Sequence, residues 1–284
     1  MTIAPVRDEA IREAQEDVDG VAVTYFDSGD VDEQRPTVVL VHGTGGSTAR
    51  HFSFLMPMLA TRQRVVSIDW TPPADGGVEL IHLQNQIVAV LEQIACPRVT
   101  LVGYSLGAVV ATAVAGNRPD LVENLVLIAG WLRTDVHQQI RNDVWHGVTR
   151  LDEHIARKFT VMSSFSPAFL RLRTPEERQR LVDSVTFDEF KTAQMNLNRR
   201  IDITAEADRV RAQTLIIGCR DDMMVPTHHS KQLLGAIVNA RYVEVAAGHA
   251  VVVERPAELV HWIDTFNRDP RRYPAGTIIE NPRP

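Results

Sequence analysis

The sequence predicts an α/β fold, a mostly parallel central sheet flanked by helices and interrupted by one helical cap insertion. Three observations point to it. Short β-branched runs bounded by turn residues alternate with longer stretches of helical period. Several of those runs are apolar at every position, as strands covered on both faces must be. The alternation breaks only once, between Trp131 and Ile203. With 284 residues, 44% of them hydrophobic and 23% charged, the chain has an ordinary globular composition. Area scaling has it bury about three quarters of its unfolded surface, enough for one large core. Length alone also allows two domains of about 140 residues each.

Taken in order, the first segment, 1–19, is acidic. Residues 1–33 hold ten acids against Arg7 and Arg12, so the formal net charge of -6 belongs mainly to this end and the rest is nearly neutral. The opening MTIAPVRDEAIREAQEDVDG is charged throughout, which excludes a secretory or spanning segment, and no later apolar run approaches the ~18 residues of a span. The expectation is a cytoplasmic protein with no membrane partner. Strands are expected at 21–26, 37–41, 65–68, 99–102, 125–128, 215–217 and 242–245. Helices are expected at 80–95, with apolar residues from Leu80 to Ile94 at helical spacing, at 106–115, rich in small residues, and at 256–266.

The core therefore comprises 20–130 and 204–267. Residues 131–203 lack a convincing strand and hold 7 of the 17 aromatics, with Pro167 and Pro175 as punctuation. They read as a helical cap whose apolar face covers a pocket, the blander option being helices that complete the core. The stretch 268–284, with four prolines, reads as an irregular arm. Its Ile278 and Ile279 would dock on the body or on a second subunit, so a homodimer is one expectation. Cys96 and Cys219 lack the spacing of a disulfide scaffold or metal site and read as two buried thiols. Arginines outnumber lysines 27 to 3 but are scattered, so no basic footprint for nucleic acid is expected.

The strongest chemical signal is Gly103-Tyr104-Ser105-Leu106-Gly107, lying between an expected strand and an expected helix. A tight turn there strains the serine backbone and lifts its hydroxyl at the sheet edge, where only glycine tolerates the crowding. The alternative is a serine that merely caps the helix. A nucleophilic serine needs a base with an acid behind it. Of ten histidines, His249 in Ala247-Gly248-His249 follows the last core strand and lies on the same sheet edge. His228 and His229 are expected to point in different directions and stay solvated, while His137, His146 and His154 fall in the insertion. For the acid, Asp221 and Asp222 compete. Register against Asp-x-x-Val-Pro selects Asp222, leaving Asp221 as a turn or cap residue, whereas counting from Gly218 selects Asp221. His42-Gly43-Thr44-Gly45-Gly46 after strand 37–41 can aim backbone N–H groups at an oxyanion, jointly with the Leu106 amide. A phosphate loop is the weaker reading, since neither glycine fingerprint of such loops is present.

These motifs, in this order over about residues 20–267, resemble the α/β-hydrolase superfamily. The resemblance implies the α/β-hydrolase fold with catalytic Ser105, Asp222 and His249, oxyanion amides on Thr44 and Leu106, and a cap inserted after the strand ending near Gly130. Gly130-Trp131-Leu132-Arg133 and the run from Asp221 to Thr227 are similar to aminoacrylate hydrolases of pyrimidine catabolism and to bacterial esterase-like relatives. Many members follow the strand at 65–68 with Asp-x-x-Gly-x-Gly-x-Ser. Here Asp69 is followed by Trp70-Thr71-Pro72-Pro73-Ala74-Asp75, which implies a reshaped rim with Trp70 at the pocket mouth.

His42, Gly43, Trp70, Tyr104 and Trp131 are the residues expected around the pocket. The expected activity is a serine esterase acting on a small-to-medium, uncharged carboxylic ester, a small-molecule partner. No metal or organic cofactor is expected, since no ligand cluster with metal spacing is seen. The same triad would also suit an amide, carbamate or enamine hydrolase, a thioesterase or a cofactor-free lyase, and the same pocket a non-catalytic receptor.

Overall fold

The computed structural model describes residues 11–29, 35–74 and 76–281. The first ten residues of the acidic segment, and Asp75 in the reshaped rim, lie outside them. Strands β1 (Arg12–Val18), β2 (Val21–Asp27), β3 (Thr37–Val41), β4 (Val65–Asp69), β5 (Val99–Tyr104), β6 (Asn124–Ile128), β7 (Gln213–Cys219), β8 (Ala240–Val245) and β9 (Ile278–Ile279) form one sheet. Its order is β1-β2-β4-β3-β5-β6-β7-β8-β9. The pairs β1/β2 and β2/β4 are antiparallel and the remainder parallel. This is the α/β-hydrolase fold.

Side chains of the central strands alternate between two cores, one on each face. Val39, Val41 and Leu101 join the cluster beneath α3 (Leu80–Ile94) and α4 (Leu106–Asn117). Val38, Leu40 and Val102 join the other, under α2 (Leu55–Ala60), which follows α1 (Thr48–His51), and under the two last helices, Val251–Glu254 and Pro256–Arg268. Burial on both sides is the reason these strands read as unbroken apolar runs.

Three expectations are corrected. The core does not begin at residue 20: 12–18 is strand β1, joined to β2 by Asp19 and Gly20, both at positive φ. Its side chains alternate outward because it is the edge strand, where charge is tolerated and discourages pairing with another sheet. The C-terminal arm is not wholly irregular either, since β9 adds to β8 with Ile279 buried and Ile278 exposed. Finally, only Cys219 is a buried thiol. Cys96 is half-buried, with its sulfur accepting from Thr37 and Arg64.

The insertion folds as α5 (Val136–Leu151), α6 (Glu153–Ser164), α7 (Pro167–Arg171), α8 (Pro175–Ser184) and α9 (Glu189–Asn198). Local signals start these helices: capping boxes at Asp135/Gln138 and Thr174/Glu177, and prolines in the first turns of α7 and α8. The two ends of the insertion meet at an antiparallel bridge between Arg133 and Asp202, so the cap springs from one stem. The chain then returns through α10 (Thr204–Arg209), α11 (Thr227–Ala236), α12 (Val251–Glu254) and α13 (Pro256–Arg268). Among the described residues no helix is long and apolar enough to cross a membrane.

Candidate active site

Ser105 stands between the end of β5 and the start of α4 with φ 56° and ψ -122°, a strained backbone for a residue with a Cβ. The turn can be this tight because of its glycines. A Cβ on Gly103 would lie 2.3 Å from the Gly107 carbonyl oxygen, and one on Gly107 would lie 2.2 Å from the Val41 oxygen. Neither contact is tolerable, so both glycines are needed for strand, turn and helix to close. Leu106 then heads α4 at a position whose N–H has no acceptor within the helix.

The expected partners converge on this serine. His249 Nε2 is 2.8 Å from Ser105 Oγ, and His249 Nδ1 is 2.7 Å from Asp222 Oδ2. Asp222 is buried, and its Oδ1 accepts from the backbone N–H groups of Met224 (2.7 Å) and Val225 (2.8 Å). Of the two adjacent aspartates, it is Asp222 that contacts His249, whereas Asp221 is exposed. Tyr104 donates its hydroxyl to the His249 carbonyl at 2.8 Å, and burial keeps that phenol protonated far into alkaline solution.

The glycine-rich turn folds back over the elbow, and its own contacts decide which amides are free. Gly43 N–H donates to His51 Nδ1 at 3.2 Å, and Gly45 N–H to Gln194 Oε1 at 2.7 Å. The Thr44 hydroxyl accepts from the Asn198 amide at 2.9 Å. Thr44 is thus held from both sides at the cavity wall. Burial pushes His51 well below the ordinary histidine range, so the ring is neutral and its Nδ1 is an acceptor.

A cavity of about 380 Å³ opens above Ser105, walled by Gly43, Thr44, Tyr104, Trp131 and side chains of the cap. Two residues expected there are elsewhere. Trp70 is buried in the core, edge-on to His42 at 4.8 Å between centroids, and does not reach the mouth. His42 is likewise buried outside the cavity. It bonds the Gly43 carbonyl through Nδ1 at 2.8 Å and accepts the backbone N–H of Trp70 at Nε2, 3.3 Å, which braces the turn. Conversely, His51, Gln194, Asn198 and the cavity-lining Arg141 and Lys191 carry no recognisable motif and escape sequence reading.

His228 stays exposed as expected, but His229 does not, and the two rings do not point apart. Their rings lie 4.1 Å apart, and their Nε2 atoms approach Asp135 Oδ2 at 3.0 and 3.3 Å. His229 is fully buried, and burial pulls it down to about 4. Among the described residues this is the group whose ligand atoms, all within 4.8 Å of one another, could gather on a metal ion. As found, it ties the N-cap of α5 to α11, the cap to the core.

The sequence pattern of the alpha/beta hydrolase family matches residues 38–262. The chain is 31% identical over 245 residues to a Xenorhabdus hominickii protein named "Pyrrolizixenacetamide deacetylase", covering 83% of this chain and 92% of that one. It is 28% identical to a Pseudomonas syringae pv. syringae protein named "Putative carbamate hydrolase RutD", covering 78% and 89%. Among solved structures, MGS-M2, an alpha/beta hydrolase enzyme from a Medee basin deep-sea metagenome library, superposes with a TM-score of 0.80 at 19% identity, over 95% of this chain and all of that one.

Proposed function

Because the chain belongs to the alpha/beta hydrolase family, and is a hydrolase, we propose that it splits an acyl bond by covalent catalysis at Ser105. The observation that supports this best is the buried relay from Asp222 through His249 to Ser105 Oγ, 2.7 and 2.8 Å per step, at the floor of the cavity. His249 Nε2 takes the hydroxyl proton as Oγ bonds to the carbonyl carbon. Asp222 accepts from Nδ1–H, holding the tautomer and stabilising the imidazolium. The amides of Thr44 and Leu106 receive the oxyanion. The imidazolium then protonates the leaving group, and water repeats the sequence to free the acid and restore the serine.

The bond cleaved is first a carbon–nitrogen acyl bond, an amide or carbamate, with a carboxylic ester as the second reading. Sequence motifs alone favour the ester, which needs the least help in departing. The names of the relatives, an acetamide deacetylase and a carbamate hydrolase, support the nitrogen leaving group. A cavity of about 380 Å³ suits a small acyl group on a leaving group of modest size.

A fluorophosphonate probe is expected to label Ser105. Acetanilides and phenyl acetates are expected to be hydrolysed, with Ser105→Ala losing at least about 10⁴-fold in turnover while its melting transition stays near that of the parent. An unlabelled serine would overturn the mechanism and favour a receptor.

A further inference from the structure

Building on that hydrolase reading, we infer that the substrate carries an anionic group, a carboxylate, which Arg141 of the cap receives while the acyl carbon lies over Ser105. Among the described residues three cations, Arg50, Arg141 and Lys191, line the cavity, and no aspartate or glutamate does. Arg141 is on the inward face of α5, at helical spacing from Gln138 and Trp145, which line the same wall. Its Nε is buried without a hydrogen-bond partner.

The other two cations are engaged with neutral groups. Lys191 Nζ donates to the Thr186 carbonyl at 2.8 Å, and Arg50 to the Thr186 hydroxyl at 2.6 Å. The acid whose charge reaches Arg141 is Asp222, but both its oxygens are committed, one to His249 and the other to two backbone amides. Arg141 is half-buried, but a buried guanidinium nitrogen without a partner is costly unless something fills the fork. Its planar donors match the two oxygens of a carboxylate. Near-neutrality of the chain beyond residue 33 does not oppose this, because a net charge averages over the surface whereas recognition depends on one wall.

Two substrate pairs test the inference. In 4-acetoxybenzoate against 4-acetoxybenzamide the charge is on the leaving group; in phenyl hydrogen adipate against phenyl hexanoate it is on the acyl chain. For at least one pair the wild type is expected to favour the anion in kcat/KM. Arg141→Gln should lower that anion-to-neutral ratio about tenfold to hundredfold, the range for losing a charge-assisted bond, and Arg141→Lys should recover part of it. A wild-type ratio at or below one in both pairs, or a ratio unmoved by Arg141→Gln, overturns the inference. Fluorophosphonate labelling reports separately on the hydrolase reading. If that fails, calorimetry with 4-acetamidobenzoate still decides the anion site: binding weakened by Arg141→Gln upholds it, and equal binding to both proteins sinks it.

Discussion

The carboxyl edge of the sheet and the cap above it wall the same cavity under different constraints. On the sheet edge, Ser105, Asp222 and His249 each sit directly beyond a buried strand, within a turn whose composition is dictated by crowding or by backbone hydrogen bonds. In the cap, Arg141, Lys191, Gln194 and Asn198 are placed by helix packing, and the partners of Gln194 and Asn198 on the glycine-rich turn, Gly45 and Thr44, are about 150 residues away. The residues of the proposed relay are thus specified locally and those of the cap wall by tertiary structure. The two regions should fail differently when altered, the edge in the chemical step and the cap in selectivity and alignment.

The sharpest contrast available is between neighbours. Asp222→Asn replaces an acceptor with an amide that can donate to Nδ1, stabilising the wrong tautomer of His249. The expected loss in kcat is on the order of 10⁴-fold. Asp221→Asn, one residue away but exposed, should change kcat by less than about twofold. Equal losses in steady-state assays would mean that the relay geometry does not govern turnover.

How legible each region was follows from the same distinction. The elbow turn could be located because Gly103 and Gly107 are required by local clashes, and Asp222 and His249 because each follows a strand. His42 and Trp70 were misplaced because a motif shows which residues form a turn but not which side chains fold inward. Strand β1 was missed although its Asp19-Gly20 turn is a hairpin signal. Its run Arg-Glu-Ala-Gln-Glu-Asp-Val is charged because an edge strand meets water, and charge masked the period. The cap cations had no local signature at all, since an arginine on a helix reads the same whether it faces water or a cavity.

A smaller effect tests whether the cap reaches into the chemistry. Gln194→Ala removes the acceptor of the Gly45 amide and loosens the turn that carries Thr44. Misalignment of an oxyanion donor predicts about a 10- to 100-fold fall in kcat with little change in KM, and slower fluorophosphonate labelling. If Gln194 were only a packing residue, the melting temperature would fall and those rates would not. That outcome would confine the catalytic apparatus to the sheet edge.

The smallest expected effect concerns Lys191, whose stem packs on Gly45 and whose ammonium is pulled down to about 8, chiefly by burial, with Arg50 adding to the shift and Asp188 opposing it. Two consequences have opposite pH signatures. Between about pH 8 and the ordinary lysine value near 10.4 the unfolded chain binds a proton that the folded one has released, so stability rises with pH across that window. Below pH 8 both states are charged and the burial penalty is present in full. Lys191→Met should therefore raise the melting temperature at pH 7, and the gain should shrink by pH 10. Substrate binding moves the other way: loss of the ammonium above pH 8 removes one of the positive charges from the wall. KM for an anionic ester should then rise severalfold between pH 7 and 9, and that rise should flatten in Lys191→Met, while KM for the neutral partner stays level. A common inflection for both esters would place the titration on the sheet edge instead, and would leave Lys191 a structural residue of the cap.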